Sequence, residues 1–219
     1  MFHVIEHSRP FLDSFISGAN DTLTPATLQI LLQEAAPRLR KYDGPPIPVD
    51  LLELPWLVVG SAKCVYDDLQ NLNEFGPVIA VNRAMYELPI SPDIGVTLHY
   101  ETTRELANNY NGRLFCSHGT DYVTDVLPVR YEWKNGTSGL YAVQVALHLG
   151  AKNIILAGCP IDDSPHFNVE RGLARGIPEL VEMHRVPWRE YAPELRARGV
   201  RSMSGWTRGL LGGPDDYNI

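Results

Sequence analysis

The clearest indication of the fold comes from the segment Leu57-Val-Val-Gly-Ser-Ala-Lys-Cys-Val-Tyr-Asp-Asp-Leu69. Its first three residues are aliphatic without a polar interruption, which is typical of a strand buried on both faces. The run breaks at Gly60, and a helical pattern begins a few residues later. A strand that ends in glycine and leads into a helix is the opening unit of a parallel sheet covered by helices.

The break itself, Gly60-Ser61-Ala62-Lys63, has two interpretations. Gly60 lets the backbone turn tightly, the amides that follow can point at an anion, and Ser61 and Lys63 add a hydroxyl and a charge. The loop is therefore a candidate for holding phosphate. It also fits an ordinary strand-to-helix turn, because neither GxGxxG nor GxxxxGK[ST] is present. The loop alone does not decide between them.

Apolar runs and helical patterns continue to alternate along the chain and predict six strands. They are Trp56 to Val59, Val78 to Val81, Ile94 to Leu98, Leu114 to Ser117, Asn153 to Ala157 and Val200 to Met203. The clearest helix covers Ser138 to Leu149 and is terminated by Gly150. A second helical region, from Ile177 to Arg198, is expected to be interrupted near Pro187 and Pro193.

Composition limits what this domain can be. With 219 residues, 44% of them hydrophobic, the chain fits one domain with an appendage. A net charge of −7 argues against general binding of nucleic acid or of an anionic membrane. The cysteines follow no CxxC spacing, and no apolar run is long enough to span a membrane. We therefore expect a cytoplasmic protein without disulfides or a zinc site.

The appendage is residues 1–50. Thr24 and Pro25 begin an amphipathic helical pattern that reaches Leu39, and its apolar face needs a partner, either the following domain or a second copy in a homo-oligomer. The segment Asp43-Gly-Pro-Pro-Ile-Pro-Val-Asp50 predicts a stiff connector, because its prolines exclude a helix or a central strand. Residues 51–219 are then the α/β domain.

Ligands of open parallel sheets bind outside the carboxyl ends of the strands, so the residues that follow strands are the candidate site. After the second strand comes Asn82, whose amide can bond a ribose or a base or cap a helix. Arg83 follows it and can pair with phosphate. Thr97, His99 and Glu101 share one face if the third strand continues that far.

Later segments add a helix start and two histidines. Thr137, Ser138 and Gly139 either cap the helix or offer an anion site at its positive end. His166 and His184 are candidates for acid–base work, because imidazole exchanges protons near neutral pH.

Taken together, the strand ends resemble a Rossmann-like superfamily, which implies a mostly parallel sheet with helices on both faces. The similarity lies between Pro55 and Leu211 and is carried by Leu57-Val-Val-Gly-Ser, Val78-Ile-Ala-Val-Asn, Pro92-Asp-Ile-Gly-Val-Thr, Ser138-Gly-Leu-Tyr-Ala and Leu149-Gly-Ala-Lys-Asn-Ile-Ile-Leu-Ala-Gly158. The superfamily includes bacterial sialyltransferases that use CMP-sialic acid, motility accessory glycosyltransferases and the archaeal hydroxymethylpterin pyrophosphokinase. The chain most resembles bacteriophage proteins of this type, which implies the host cytoplasm as its location.

The resemblance implies a nucleotide-binding transferase, glycosyltransferase-like, whose substrate is a nucleotide sugar, CMP-linked in the sialyltransferase branch. By position, Gly60 and Ser61 would lie beside the phosphate or ribose, and Asn82 would face the nucleotide. The sialyltransferases use a histidine downstream of the fifth strand as base, which implies His184 or His166 here. The remaining predicted binding residues are Lys63, Arg83, Ser138 and Gly139.

Two other functions stay open. Ala62-Lys63-Cys64 stands where the sialyltransferase loop reads Gly-Pro-Ser, and the missing second glycine favours a bacteriophage binding module without catalysis. A magnesium-dependent pyrophosphokinase-like enzyme would need carboxylates, of which Asp67, Asp68, Asp162 and Asp163 are available. Their spacing matches no established metal pattern, so we predict no resident metal or cofactor.

Overall fold

The computed structural model describes residues 39–128, 137–163 and 178–216. Within them the chain forms one sheet of seven strands: β1 (Trp56–Val59), β2 (Val78–Val81), β3 (Ile94–Thr97), β4 (Arg113–Cys116), β5 (Asp125–Val126), β6 (Ile154–Ala157) and β7 (Val200–Ser202). The strand order is β5-β4-β3-β2-β1-β6-β7, and every neighbouring pair is parallel. The predicted Rossmann-like α/β fold is confirmed.

Helices cover both faces of the sheet. They are α1 (Val65–Gln70), α2 (Ala84–Glu87), α3 (Thr103–Asn109), α4 (Ser138–His148), α5 (Pro178–Ala197) and α6 (Gly205–Leu211). Alternate residues of β1 belong to different cores: Trp56 and Val58 pack with α4 and α5, whereas Leu57 and Val59 pack with α1, α2 and α3. All four residues are buried, which explains why the strand shows no polar alternation.

All six predicted strands are present, with ends that differ by about one residue. The seventh strand, β5, is not among the predicted ones. It has only two residues, which is too short for a hydrophobic pattern to indicate a strand. Side chains hold it against β4: the guanidinium of Arg113 donates two hydrogen bonds to Asp125, 2.8 and 2.7 Å long. Thr124 supplies a third contact, because its Oγ1 accepts a hydrogen bond from the Leu114 amide at 2.8 Å.

The prediction that the second helical region is interrupted near its prolines is wrong. Helix α5 continues through both Pro187 and Pro193. A proline inside a helix costs about 3 kcal/mol, since it removes a hydrogen bond and crowds the preceding turn. Burial offsets this cost here: Trp188 and Leu195 are fully buried on the face that packs against the sheet. Tertiary packing therefore overrides local propensity.

The predicted helix from Thr24 lies outside the described residues, except for Leu39. Between Leu39 and Pro48 the chain forms neither helix nor strand, and a 3-10 turn covers Val49–Glu53. Arg40 fastens this segment to the domain by donating hydrogen bonds to the carbonyls of Tyr110 and Gly112. Among the described helices, none has the length and apolarity that a membrane crossing requires.

Asp125→Asn is expected to lower stability at neutral pH but not in strong acid. Burial raises the pKa of Asp125, but hydrogen bonds from Arg113 and Thr124 outweigh it and hold the pKa below its ordinary value of 3.8. A lowered folded-state pKa adds stability above the ordinary value, and this stability is lost as the pH falls through the folded pKa. In urea unfolding at several pH values, the deficit of the variant should shrink below about pH 4.

The matched control is Glu53→Gln, which removes an exposed ion pair with Lys152. Surface pairs contribute about 0–1 kcal/mol, so this change should leave the urea midpoint nearly unchanged. A deficit for Asp125→Asn that persists unchanged at low pH would contradict the assignment of the effect to the Arg113 pair.

Candidate functional site

The candidate site lies at the carboxyl edge of the sheet, between β1 and β6. The chain leaves β1 toward β2 on one side, while β6 and β7 extend the sheet on the other. In open parallel sheets, this reversal of strand order opens a crevice outside the strand ends. The loops that follow β1 and β6, together with the start of α4, border that crevice.

The loop after β1 is fastened to the loop after β6 through backbone atoms. Gly60 donates its amide to the Ala157 carbonyl at 2.8 Å, and Ala62 donates to the Gly158 carbonyl at 3.1 Å. A Cβ on Gly60 would overlap the Gly158 carbonyl oxygen and lie 2.6 Å from the Cys159 sulfur. Glycine is therefore required here by close packing, and the Ala62 amide is already paired within the protein.

The remaining side chains of the first loop differ in exposure. Ser61 is partly buried and Lys63 is exposed at the start of the turn into α1. The structure thus shows that the loop makes a tight strand-to-helix turn, one of its two interpretations. Ligand binding by Gly60, Ser61 and Lys63 stays a prediction.

A buried carboxylate on α1, Asp68, connects this helix to the loops after β6 and β7, a role that the sequence analysis does not predict. Asp68 Oδ2 accepts hydrogen bonds from the Gly158 amide at 2.7 Å and from the Ser204 hydroxyl at 2.8 Å. Ser204 follows β7, and its hydroxyl also lies 3.3 Å from Cys64 Sγ. Burial raises the pKa of Asp68, and the two hydrogen bonds only partly oppose that rise. We call Asp68, Gly158 and Ser204 the Asp68 clasp.

One sequence signal could have identified the clasp. Asp68 follows the buried Val65 by three residues, so helical spacing places it on the same inward face. A carboxylate on a buried helix face needs donors, and the nearby strand ends supply them.

Asn82 occupies a backbone conformation that few residues adopt. Its φ is 53°, in the left-handed region where asparagine is tolerated better than most side chains. Asn82 Oδ1 accepts a hydrogen bond from Thr97 Oγ1 at 2.8 Å. Thr97 Oγ1 in turn accepts a hydrogen bond from the His99 amide at 3.0 Å. The hydrogen bond from Thr97 uses the side-chain oxygen of Asn82 and leaves its NH₂ group unpaired among residues 39–128, 137–163 and 178–216.

Arg83 is already paired with a carboxylate, Glu105 on α3. Its guanidinium lies 2.9 Å from Glu105 Oε1, and the Tyr86 hydroxyl donates to the same carboxylate at 2.8 Å. Burial, and then the hydrogen bond to Glu105, raise the pKa of Tyr86 to about 12. Arg83 therefore already has a carboxylate partner on α3, and its contact with a phosphate stays a prediction.

The condition under which Thr97, His99 and Glu101 would share one face of β3 is not met. β3 ends at Thr97, and a 3-10 turn begins at Tyr100, so the residues beyond Thr97 follow no strand alternation. The turn nevertheless brings His99 Nδ1 within 3.2 Å of Glu101 Oε1. The pair forms by local folding of the turn and not by strand periodicity.

The start of α4 has no side-chain cap from Thr137. The first amides of any helix lack intrahelical partners, and Thr137, the residue before α4, makes no side-chain capping bond. Thr137 Oγ1 is buried and has no hydrogen-bond partner among residues 39–128, 137–163 and 178–216. The Ser138 hydroxyl accepts a hydrogen bond from the Leu98 amide at 3.4 Å, at the end of β3. Of the two alternatives for this segment, capping by the Thr137 side chain is not observed.

Gly139 brings this helix start into contact with the other loops. A Cβ on Gly139 would lie 3.5 Å from Cys159 Sγ, the sulfur that also packs against Gly60. It would lie 3.9 Å from the ring of Trp188 on α5. The β1 loop, the β6 loop, α4 and α5 thus converge at one place.

The two predicted histidines, His166 and His184, lie in different segments of the chain. His166 lies outside the described residues. His184 is partly buried on α5, four residues before Trp188, and therefore one helical turn away on the same face. The Trp188 ring is close to Gly139, so His184 lies on the helix face that approaches the start of α4.

The loop after β6 is held in a strained form. Ile161 has a φ of 47°, which is unfavourable for a β-branched residue and is characteristic of functional loops when surrounding contacts enforce it. Arg185 Nε donates to the Ile161 carbonyl at 2.9 Å, and Thr207 Oγ1 donates to the Cys159 carbonyl at 2.8 Å. Helices α5 and α6 therefore impose the shape of this loop.

Comparisons with protein-family models and with curated proteins gave no match. Among solved structures, the sialyltransferase CstII from Campylobacter jejuni in complex with the substrate analogue CMP-3FNeuAc is 15% identical, with a TM-score of 0.46 over 74% of this chain and 86% of that one. The sialyltransferase CST-II in complex with a trisaccharide acceptor and CMP is 16% identical, with a TM-score of 0.48 over 75% and 88%.

Carboxylates and cysteines do not gather into a metal-binding group in the part of the chain that the structure describes. Of the four aspartates considered for magnesium, Asp68 is committed to its clasp. Cys64, Cys116 and Cys159 are all free thiols. Burial raises the pKa of Cys159 to about 12, so this thiol is a packing group at neutral pH.

Proposed function

We propose that the protein is a nucleotide-binding transferase of glycosyltransferase-like type, with a nucleotide sugar as its donor substrate. One observation carries the proposal: the uncapped start of α4 borders the crevice between β1 and β6. A helix start with unused amides attracts phosphate, because the helix dipole and the N–H groups both favour negative charge. The unpaired Thr137 hydroxyl adds a donor at the same place.

The neighbouring strand ends supply further contacts for such a ligand. Asn82 presents its side-chain NH₂ group at the end of β2, next to β1 in the sheet, where it is suited to the nucleoside. Gly60 and Gly139 allow the β1 loop and the start of α4 to pack closely against Cys159 in the loop after β6. We assign Ser61 and Lys63 to the phosphate side, with Arg83 contributing if it exchanges Glu105 for the ligand.

A histidine would act as the base that deprotonates the acceptor hydroxyl. His184 is our first assignment, because it lies one turn from the tryptophan that packs near Gly139. His166 is the second. General-base catalysis is worth about 10²- to 10⁴-fold in rate, so replacing the true base by alanine should lower kcat by that factor and leave nucleotide affinity unchanged.

Asn82→Asp is the sharpest test of nucleotide binding. The substitution keeps an oxygen acceptor for Thr97 and a residue that tolerates positive φ, but it replaces the free donor by a negative charge. We expect nucleotide affinity to fall at least about 10-fold, because one hydrogen-bond donor is lost and a carboxylate faces the acceptor that it contacted, with the melting temperature little changed. Affinity is measured by calorimetry or saturation-transfer NMR with CMP, UDP and GDP.

Asn71→Asp is the matched control, because Asn71 lies at the C-terminal end of α1, where its side-chain NH₂ donates a hydrogen bond to the Asp67 carbonyl. It should bind nucleotide like the wild type. If the wild type binds none of the three nucleotides, the proposal fails. If Asn82→Asp binds as tightly as Asn71→Asp, the nucleotide lies elsewhere.

A binding module without catalysis is the second candidate. It is favoured by the paired Ala62 amide, which closes the first loop against Gly158 and removes one donor from a phosphate. Such a module would bind nucleotide or another ligand with no release of sugar, and neither His184→Ala nor His166→Ala would alter its behaviour.

A further inference from the structure

We propose that Asn111 is a site of spontaneous modification, where the side-chain amide reacts with the backbone nitrogen of Gly112 and the residue becomes aspartate or isoaspartate. The isoaspartate product weakens the attachment of residues 39–48 to the α/β domain. The site lies in the turn between α3 and β4, at the amino edge of the sheet. It is on the opposite edge from the candidate donor site, and the inference does not depend on the proposed function.

The residue that follows Asn111 is what makes the reaction possible in the folded chain. The side-chain carbon of asparagine reaches the next backbone nitrogen when no side chain crowds that residue, and glycine has no Cβ. Asn111 is exposed, so water has access to it. Among residues 39–128, 137–163 and 178–216, no other asparagine precedes a glycine, and the pair Asn135-Gly136 lies outside them.

The two atoms that must react are not engaged in other contacts. In the part of the chain that the structure describes, the Gly112 amide donates no hydrogen bond and the Asn111 side chain makes none. An N–H group that donates a hydrogen bond must lose that bond before it can give up its proton. Residues 110–112 are in neither helix nor strand, so no secondary structure opposes the rotation that brings the two atoms together.

Asn109, two residues earlier, is also exposed but lacks both conditions. Its side-chain NH₂ donates to the Glu105 carbonyl at 2.8 Å. The next amide, of Tyr110, donates to the Leu106 carbonyl at 2.8 Å, and Tyr110 carries a large side chain. We therefore expect Asn109 to persist, which makes it the internal reference for Asn111.

The modification proceeds in two steps that need only water and hydroxide. The Gly112 nitrogen loses its proton to hydroxide and bonds to Asn111 Cγ. The Cγ–Nδ2 bond breaks, and ammonia leaves after taking a proton from water. Water then opens the five-membered imide: cleavage at Cγ gives aspartate, whereas cleavage at the main-chain carbonyl carbon gives isoaspartate. In isoaspartate the main chain runs through the side chain and is one atom longer.

Arg40 spans the residue that reacts. Its guanidinium donates to the Tyr110 carbonyl at 3.1 Å and to the Gly112 carbonyl at 2.6 Å, one on each side of Asn111. The N–H groups of a guanidinium have fixed directions, so the two bonds require a fixed separation of these carbonyls. The extra main-chain atom of isoaspartate changes that separation. The Arg40 backbone amide, which donates to the Val123 carbonyl at 2.8 Å, then belongs to a segment with fewer attachments.

The first experiment ages the full chain in alkaline buffer and follows Asn111 by peptide mapping, with a mass-spectrometric fragmentation that distinguishes aspartate from isoaspartate. We expect Asn111 to convert to both products while Asn109 keeps its amide. The rate should be comparable in the folded chain and in urea, because the native turn leaves both reacting atoms available. Conversion in urea without conversion in the folded chain would overturn the inference. Peptide mapping separates Asn111 from Asn135.

The second experiment measures hydrogen exchange of the Arg40 amide by NMR. After ageing, exchange should be about 10-fold faster, the loss of a hydrogen bond from a charged group. The Gly60 amide, bonded to the Ala157 carbonyl, is the remote reference and should not change. Asn111→Gln is the matched control, because its longer side chain forms the ring poorly, and it should keep slow Arg40 exchange after ageing.

Asn111→Asp, measured before ageing, separates charge from main-chain length. It adds the carboxylate without the extra atom and should keep slow exchange at Arg40. Fast exchange in this variant, or unchanged exchange in aged wild-type protein that contains isoaspartate, would overturn the proposed weakening. Failure to bind any nucleotide would reject the proposed function and leave the modification of Asn111 supported.

Discussion

Gly60→Ala is expected to lower the free energy of unfolding by about 3 kcal/mol, the upper range for overpacking a buried site. The new methyl group would overlap the Gly158 carbonyl oxygen and lie 2.6 Å from Cys159 Sγ. Neither neighbour is the free end of a flexible side chain. The two loops must therefore separate, and the hydrogen bond from Ala62 to Gly158 would be lost. Urea unfolding of the variant and the wild type measures the difference.

Gly209→Ala is the control for this change. A Cβ at Gly209 meets nothing within 4 Å, and the residue lies inside α6. Alanine favours a helix over glycine by about 1 kcal/mol, so this variant should be as stable as the wild type or slightly more stable. Equal stability of Gly60→Ala and Gly209→Ala would show that the β1 and β6 loops are not in contact. Loss of nucleotide binding should accompany the loss of stability only in Gly60→Ala.

Asp68→Ala has the second large expected effect, a loss of about 2 to 3 kcal/mol in the free energy of unfolding. The change removes the acceptor of the Gly158 amide and of the Ser204 hydroxyl. Donors that are buried without a partner cost more than the hydrogen bonds themselves contribute. The loops after β6 and β7 would lose their shared attachment to α1, and proteolysis should cut near them sooner.

Asp67→Ala tests whether the effect belongs to the Asp68 clasp. The neighbouring carboxylate is exposed, so its removal should change stability by less than about 0.5 kcal/mol. Asp68→Asn adds a test by pH. Because burial raises the pKa of Asp68, the stability associated with it is fully present below the ordinary value of 3.8 and declines as the pH rises through the folded pKa. The asparagine variant should lack this decline, and an identical pH profile would contradict the clasp.

Much of the fold could be predicted from sequence, because buried parallel strands leave a strong local pattern. The runs at Leu57, Val78 and Ile154 are apolar without alternation, and each forms a central strand. Strand β5 could not be predicted, since two residues held by the Arg113–Asp125 pair carry no periodicity. Helix α5 passes its prolines because of contacts that are distant in sequence.

The candidate site was predicted in outline only. Glycines and asparagine at strand ends mark the crevice, because the topology sends every carboxyl end to one edge of the sheet. Helical spacing from Val65 places Asp68 on the inward face of α1, but the loops that supply its hydrogen-bond donors are distant in sequence and could not be predicted. The start of α4 could not be predicted from residue type either. Threonine and serine often cap helices, but the Thr137 side chain makes no capping hydrogen bond in the structure.

The position of β1 between β2 and β6 also affects how the chain reaches its native state. During synthesis β2 can join β1 early, whereas Trp56 must wait for Ile154, far along the chain, to complete its other edge. Pairings between distant residues slow folding, since the loop between them must close before they gain stability. Before β6 is made, the apolar strand β1 exposes one unpaired edge, and unpaired strand edges are prone to aggregation. Folding yield in the cell therefore depends on how soon β6 is made.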